Sequence, residues 1–262
     1  MILNGKDLKC RPFKDSRGQS GMSGKLHIAE VVDGSRYLVK SSPVDVANEF
    51  VAHKLAKMIG VPTSDAILIK SGKNISVGIE FEPDFQRVSM DEFIGKEQPD
   101  EKPFLINGKP LQIPTAGKYP DDDPFLAELM AFLAFRSLIV LQDHVQLAFA
   151  GGHLISFDYA ESFYLTEGTF AGLLRGGSLS HPVGLFANNL NLTSGYRTAI
   201  EVLRRPNTDF LLDAFLAPVF AFQEVDFQLI FDDLDAVFPP LVSAFYAACF
   251  AVVKKEIDKM GE

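Results

Sequence analysis

Residues 35–62 read SRYLVKSSPVDVANEFVAHKLAKMIGVP. The first six residues alternate in polarity and predict a strand that ends at Lys40. A Ser-Ser-Pro sequence breaks the strand, and residues 45–59 then carry apolar side chains near helical spacing, with Asp45 as the predicted N-cap. A glycine and a proline end this helix. The stretch therefore places a lysine at the end of a strand and Glu49 on the helix that follows.

A glycine- and serine-rich loop and a β-hairpin precede this stretch. The loop, residues 13–24, reads FKDSRGQSGMSG, and residues 25–32 alternate as a strand. An Asp-Gly turn then leads into the strand that ends at Lys40. Because glycine allows a close approach of the backbone to a phosphate, this loop is the predicted nucleotide cover. Its candidate nucleotide-binding residues are Gly18, Gly21, Ser23 and Gly24.

Two more strands are predicted after the helix, over residues 66–69 and 75–81. Glu80, near the end of the second strand, is another candidate for contact with a nucleotide. Residues 1–82 are therefore predicted to form a small β-sheet with one helix.

The remaining chain is predicted to be mainly helical. Residues 83–124 are polar and rich in proline, which is typical of a connector, and an apolar helix is predicted from Pro124 to Val140. Residues 141–163 predict a loop, a strand, a Gly-Gly turn and a second strand that leads to Asp158. The glycine-rich residues 164–195 are predicted to be irregular. Three further helices are predicted over 210–222, 227–237 and 240–259. The fold class is thus α+β, with a small N-terminal lobe (1–82) and a larger helical C-terminal lobe (125–262).

Composition narrows the classes of function. The 262 residues carry a formal net charge of −9 without a dense Lys/Arg run, which disfavours direct binding to DNA or RNA. The N-terminus lacks the apolar core of a signal peptide, and the apolar stretches are too short to span a bilayer. We therefore expect a cytoplasmic protein without a membrane segment. Cys10 and Cys249 lie far apart and form no metal or redox motif.

Five residues have the types and order that phosphoryl transfer requires. A lysine must neutralise phosphates, and a helix glutamate must hold that lysine; Lys40 and Glu49 supply the pair. Asp143 is the candidate base for the acceptor hydroxyl. Gln146 and Asp158 are the candidate ligands of Mg²⁺.

Two segments resemble HipA-like kinases. Residues 47–62 resemble the family's helix segment, which runs Asn-Glu, then Leu-Ala, then Gly-apolar-Pro, and residues 37–40 resemble the strand that carries its ATP-binding lysine. Residues 155–163, ISFDYAESF, resemble its metal-binding segment. The resemblance covers roughly residues 15–163.

This resemblance implies a two-lobed fold related to protein and phosphoinositide kinases. It places Lys40 on the α- and β-phosphates of ATP, Glu49 in support of that lysine, and Asp158 on Mg²⁺. The best-known family members are bacterial serine/threonine kinases, and some are toxins held by a partner antitoxin. The resemblance therefore implies ATP and Mg²⁺ as cofactors, a protein hydroxyl as acceptor, and an antitoxin-like protein as partner.

The predicted catalytic loop departs from the kinase pattern. Kinases place a metal-binding Asn five residues after the catalytic Asp, whereas Gln146 follows Asp143 by three. This departure leaves open a pseudokinase that binds nucleotide or a partner without turnover. A kinase that acts on a small molecule is a further alternative, because folds related to the family's phosphorylate drugs and metabolites. Ser20 and Ser23 in the glycine-rich loop are candidate autophosphorylation sites, or simply solvated loop residues.

Overall fold

The three-dimensional structure is a computed structural model of the chain. It describes residues 2–12, 27–81, 84–88, 105–106, 109–110, 124–143, 146–203 and 209–260.

The N-terminal part contains a six-stranded sheet with the strand order β1-β5-β6-β4-β3-β2. The strands are β1 (Ile2–Asn4), β2 (Lys9–Pro12), β3 (His27–Glu30), β4 (Arg36–Lys40), β5 (Ala66–Ser71) and β6 (Asn74–Glu80). The pairing is antiparallel except between β1 and β5, which run parallel. The prediction that the strand before the break ends at Lys40 is confirmed.

This sheet is curled, because its two edge strands are joined by a very short connection. In a flat sheet of six strands, the edges would lie about 24 Å apart. The five Cα steps from Asn4 to Lys9 span at most about 18 Å, so β1 and β2 must approach each other. The curl encloses a small apolar core whose buried members are Ala29, Tyr37, Val39, Ile67 and Ile69. Since side chains alternate along β4, Lys40 lies on the opposite face from Val39.

Helix α1 (Pro43–Met58) packs against β5 and β6. The predicted N-cap was wrong by three residues: Ser42 is the N-cap, Pro43 opens the helix, and Asp45 lies in the first turn. Proline is favoured at this first position, because its fixed φ suits a helix and its missing N–H has no partner there in any case. The predicted end is confirmed, since Gly60 has a φ of +78° and the N–H of Val61 donates to the Ala56 carbonyl over 2.8 Å.

A second, three-stranded sheet has the order β11-β10-β7. Strands β10 (Leu147–Ala150) and β11 (His153–Ser156) form the predicted hairpin around Gly151 and Gly152. Strand β7 (Gln86–Val88), from the range interpreted as a connector, pairs antiparallel with β10. Two short strands, β8 (Leu105–Ile106) and β9 (Lys109–Pro110), pair with each other.

The C-terminal part is built from helices. They are α2 (Pro124–Leu138), α3 (Glu167–Leu174), α4 (Ser180–Asn189), α5 (Leu192–Leu203), α6 (Asp209–Glu224), α7 (Gln228–Asp235) and α8 (Pro240–Met260). Helix α2 lies against α5 and α6, and α8 contacts α4, α6 and α7. Phenylalanines fill much of this core, with Phe227, Phe222 and Phe250 in mutual ring contact. Within the described ranges, no single helix is long and apolar enough to cross a membrane; α6 and α7 meet that test only as a pair bent by 67°.

The prediction of irregular structure over residues 164–195 was wrong. Helices α3 and α4 lie within that range, and α5 begins there. Thr166 caps α3 by accepting a hydrogen bond from the Thr169 N–H, and Gly176, with a φ of +83°, follows its end. Glycine lowers helix propensity by only about 1 kcal/mol, so packing against α1 and α8 outweighs the composition of this segment.

Candidate active site

Three charged side chains from three separate elements meet between the two parts of the chain. Lys40 ends β4, Glu49 lies on α1, and Asp158 follows β11. The Lys40 Nζ contacts Glu49 Oε1 and lies 2.6 Å from Asp158 Oδ1. Glu49 is fully buried, whereas 36% of the Asp158 side chain remains exposed. The structure thus brings together three of the residues singled out in the sequence.

Burial and charge act in opposite directions within this cluster. Burial disfavours the charged form of Lys40, but the carboxylates of Glu49 and Asp158 outweigh it and raise the lysine pKa. Burial likewise opposes ionisation of Glu49, but the Lys40 charge and the contact with His53 together outweigh it, so the pKa of Glu49 falls below its ordinary value. The pKa of Asp158 is raised, because burial exceeds the effect of Lys40. Lys40 and Glu49 therefore form an ion pair in which both side chains are charged. The surroundings of Asp158 favour its charged form less.

The pH dependence of stability should reveal the Glu49 charge. A folded pKa below the ordinary 4.5 gives a stabilisation that is complete above that pH and is lost as the pH falls through the folded value. We expect the free energy of unfolding to fall more steeply between about pH 5 and pH 2 in the wild type than in Glu49→Gln. Urea unfolding across this range measures it. Glu256→Gln, which removes an exposed pair with Lys259, is the control and should parallel the wild type; a parallel Glu49→Gln profile would contradict the assignment.

The backbone around Asp158 has unusual dihedral angles. Among the described residues, the non-glycine residues with positive φ are Val140 (50°), Asp158 (65°), Phe163 (60°) and Tyr164 (55°). All four lie within one stretch of 25 residues that contains the candidate catalytic loop and metal-binding segment. Such conformations cost of order 1–3 kcal/mol each and cluster at functional sites. Aspartate is among the residues that tolerate the left-handed region best, which suits it to the position at 158.

Asn48 connects α1 to the segment that follows Asp158. Its amide nitrogen donates to the carbonyl oxygens of Ala160 (2.7 Å) and Ser162 (3.1 Å). Its amide oxygen accepts a hydrogen bond of 2.8 Å from the hydroxyl of Tyr246 on α8. The side chain is fully buried. Asn48 therefore fixes α1, and with it Glu49, relative to the segment that bears Asp158.

Loss of this bridge should be costly. In Asn48→Leu, the Ala160 carbonyl and the Tyr246 hydroxyl lose this partner, and the Ser162 carbonyl keeps only the Leu165 N–H. We expect about 3 kcal/mol of lost unfolding free energy. Denaturant unfolding provides the measurement. The matched control is Asn189→Leu, where the amide is exposed and donates to the Leu185 carbonyl of its own helix over 2.8 Å. An Asn48 variant as stable as the Asn189 variant would show that the bridge does not hold α1.

The candidate catalytic loop is attached at both ends to the segment after β11. The N–H of Gln142 donates to the Glu161 carbonyl (3.1 Å), and the N–H of Phe157 donates to the Gln146 carbonyl (3.3 Å). Arg136 on α2 donates to the backbone oxygen of Asp143 over 3.1 Å. Asp143 and Gln146 are thus held beside the chain that carries Asp158.

Gln146 is already engaged by a cation. The guanidinium of Arg87 on β7 donates to the Gln146 side-chain oxygen, which is the atom that would bind a metal. A carboxylate such as Asp158 is a ligand that Mg²⁺ favours, whereas an amide oxygen beside a guanidinium is a poor one unless Arg87 moves. In the described part of the chain, no three His, Cys, Asp or Glu side chains converge on a metal site. Magnesium usually takes one or two protein carboxylates and completes its shell with phosphates and water, so Asp158 fits that role and Gln146 fits it less well.

The remaining sequence candidates divide into two groups. Glu80 ends β6, where its N–H donates to the Asp65 carbonyl over 2.8 Å and its chain partner on β4 is Tyr37. The four loop candidates Gly18, Gly21, Ser23 and Gly24 lie outside the described residues, as does Ser20.

Sequence reasoning missed an aromatic row beside the cluster. Phe81 follows β6, and its ring lies 5.4 Å from that of Phe85. Phe85 in turn contacts Phe157, the neighbour of Asp158, with ring centroids 5.1 Å apart. The rings are partly exposed. Three phenylalanines among 23 gave no signal in the sequence, because their spacing matches no helix or strand period.

The fold of this chain is similar to that of a solved kinase structure. A Helicobacter pylori proinflammatory kinase, CtkA, matches over 100% of both chains with a TM-score of 0.59 at 12% sequence identity. The chain therefore has an α+β, kinase-like fold. A chain of the Shewanella oneidensis toxin–antitoxin complex of HipA, HipB and operator DNA matches 97% of this chain. Its TM-score is 0.42 at 12% identity, and this chain spans 63% of it. No family model and no curated protein sequence matches the chain.

Proposed function

We propose that the chain binds ATP with Mg²⁺ between its two lobes and transfers the γ-phosphoryl group to a hydroxyl, most simply one on a protein. The observation that carries this proposal is the cluster of Lys40, Glu49 and Asp158, in which three elements distant in sequence deliver a buried ion pair and a partly exposed carboxylate to one point. A largely buried ion pair contributes little net stability compared with apolar packing, so its presence in a cleft favours a functional role. The kinase-like fold supports the same interpretation.

Each residue has one task in this proposal. Lys40 donates to the α- and β-phosphates, and Glu49 holds the ammonium group in place. Asp158 is the ligand for Mg²⁺, which supplies neutralisation of phosphate charge when bound. Asp143 accepts the proton of the acceptor hydroxyl while that oxygen bonds to the γ-phosphorus and the bond from this phosphorus to the bridging oxygen of ATP breaks. The aromatic row Phe81, Phe85 and Phe157 offers an apolar surface for the adenine ring.

Calorimetric titration of the protein with ATP, in the presence and absence of Mg²⁺, tests the binding half of this proposal. We expect saturable ATP binding that Mg²⁺ strengthens in the wild type, and that Mg²⁺ strengthens less, or not at all, in Asp158→Asn. Absence of ATP binding to the folded wild type would overturn the proposal.

A second candidate function is nucleotide binding without turnover. The contact between Arg87 and Gln146 favours it. The Arg87 guanidinium donates to the Gln146 side-chain oxygen, which is the atom that would serve as the second protein ligand of the metal. The short spacing from Asp143 to Gln146 points the same way. This candidate predicts ATP binding by calorimetry with no phosphoryl transfer to any acceptor. The protein substrate and the antitoxin-like partner remain predictions from the sequence.

A further inference from the structure

A buried histidine faces the second oxygen of Glu49. His53 lies one helical turn after Glu49 on α1, and both side chains are fully buried. The His53 Nε2 is 3.4 Å from Glu49 Oε2, whereas Lys40 contacts Oε1. Among the described residues, these two facing atoms have no other hydrogen-bond partner. Buried polar atoms without partners are rare and require an explanation.

The other ring nitrogen fixes the orientation of the imidazole. His53 Nδ1 lies 3.0 Å from the Ser64 carbonyl oxygen and 2.8 Å from the Thr63 hydroxyl oxygen. The Thr63 hydroxyl also lies 3.1 Å from the Ser156 carbonyl oxygen, to which it can donate. The ring is therefore anchored at Nδ1, and Nε2 faces Glu49. Both carboxylate oxygens are acceptors, so only a hydrogen on Nε2 makes this contact a hydrogen bond.

These contacts close a ring around the ion pair. Thr63 forms a parallel bridge with Ser156, two residues before Asp158. Lys40 joins Asp158 to Glu49, and His53 joins Glu49 back to Thr63. In the described part of the chain, the His53 ring faces two titratable groups, Glu49 and Tyr159. The ring centroids of His53 and Tyr159 lie 4.7 Å apart.

We propose that His53 is a positioning residue for the Lys40–Glu49 pair. Held by Ser64 and Thr63 through Nδ1, its ring presents Nε2–H to Glu49 Oε2 and fixes the carboxylate on the side away from Lys40. When Lys40 shares its charge with the phosphates of ATP, Glu49 keeps this second donor and does not rotate away. The inference rests on the proposed function, since positioning matters only if Lys40 binds nucleotide.

Two variants separate positioning from mere packing. The amide nitrogen of glutamine can take the place of Nε2, so His53→Gln keeps a donor toward Glu49 and loses the anchor on Ser64. His53→Asn keeps a donor near Nδ1 and loses the contact with Glu49. We expect both to lower stability, but only His53→Asn to raise the dissociation constant of Mg-ATP, by about tenfold, the effect of one hydrogen bond to a charged group.

Equal ATP affinities in the wild type and both variants would overturn the inference while leaving the proposed function intact. Failure of the wild type itself to bind ATP would instead overturn the proposed function. A third measurement needs no nucleotide: ¹⁵N NMR of histidine-labelled protein near neutral pH, with the His53 signals assigned by their loss in His53→Gln. We expect the His53 Nε2 to carry a hydrogen; a bare Nε2 would contradict the proposed contact.

Discussion

Replacing Lys40 by methionine is expected to abolish nucleotide binding and to lower the free energy of unfolding by about 3–5 kcal/mol. The cause of the second effect is Glu49, which is fully buried and would keep its negative charge without the adjacent ammonium group. The sequence alone gives no reason for lost stability, because a lysine at a strand end is usually solvated. Urea unfolding gives the change in stability, and calorimetry with Mg-ATP gives the change in binding.

The double variant Lys40→Met/Glu49→Gln is the decisive control. It removes both charges, so we expect it to regain most of the lost stability while remaining unable to bind ATP. Lys54→Met provides a matched comparison, because Lys54 pairs with Asp65 at 2.8 Å in a more exposed position. Such a pair contributes at most about 1 kcal/mol. If Lys40→Met and Lys54→Met cost the same, the buried ion pair would not have the strength assigned to it.

Asp158→Asn should have the opposite profile, with stability retained and phosphoryl transfer lost. Asparagine keeps the size of aspartate and its tolerance of a φ near 65°. The charge itself adds little to stability, since the pKa of Asp158 is raised by its surroundings. We expect a change of less than about 1 kcal/mol in unfolding free energy, and a fall of at least about 10²-fold in the rate of transfer.

Asp158→Ala is a less informative variant at the same position. Alanine does not favour the left-handed region, so this variant adds backbone strain of about 1 kcal/mol to the loss of the carboxylate. Asp158→Asn and Asp158→Ala should therefore have the same low activity and differ in stability. Transfer at the wild-type rate by Asp158→Asn would remove Asp158 from the proposed metal site.

The local pattern of the sequence was sufficient to predict the elements that carry the charged cluster. Alternation placed Lys40 at a strand end, helical spacing placed Glu49 on α1, and the Gly-Gly turn placed Asp158 after β11. Each of these signals spans fewer than about 20 residues, the range in which periodicity is informative. The helices over 164–195 were not predicted, because the glycine content of this segment indicates irregular structure. The tertiary contacts that stabilise these helices are not visible in the sequence.

The parts that could not be predicted depend on contacts between distant residues. Asn48 and His53 lie in the same helix as Glu49. Asn48 belongs to the Asn-Glu pair of the family resemblance, but no pattern in the sequence indicates the contacts of either residue. Their roles follow from partners as far away as Ser162 and Tyr246 for Asn48. The contact between Arg87 and Gln146 joins residues 59 positions apart and depends on the pairing of β7 with β10. The curl of the first sheet likewise needs the strand order, which no local pattern contains.

Transfer of label from γ-labelled ATP tests the central claim most directly. The purified wild type and Asp158→Asn would be incubated with labelled ATP and Mg²⁺, with and without a protein extract as a source of acceptors. The proposed function predicts that label appears on protein hydroxyls with the wild type and is lost with the variant. Absence of label with the folded wild type under both conditions, or equal labelling by the wild type and Asp158→Asn, would contradict it.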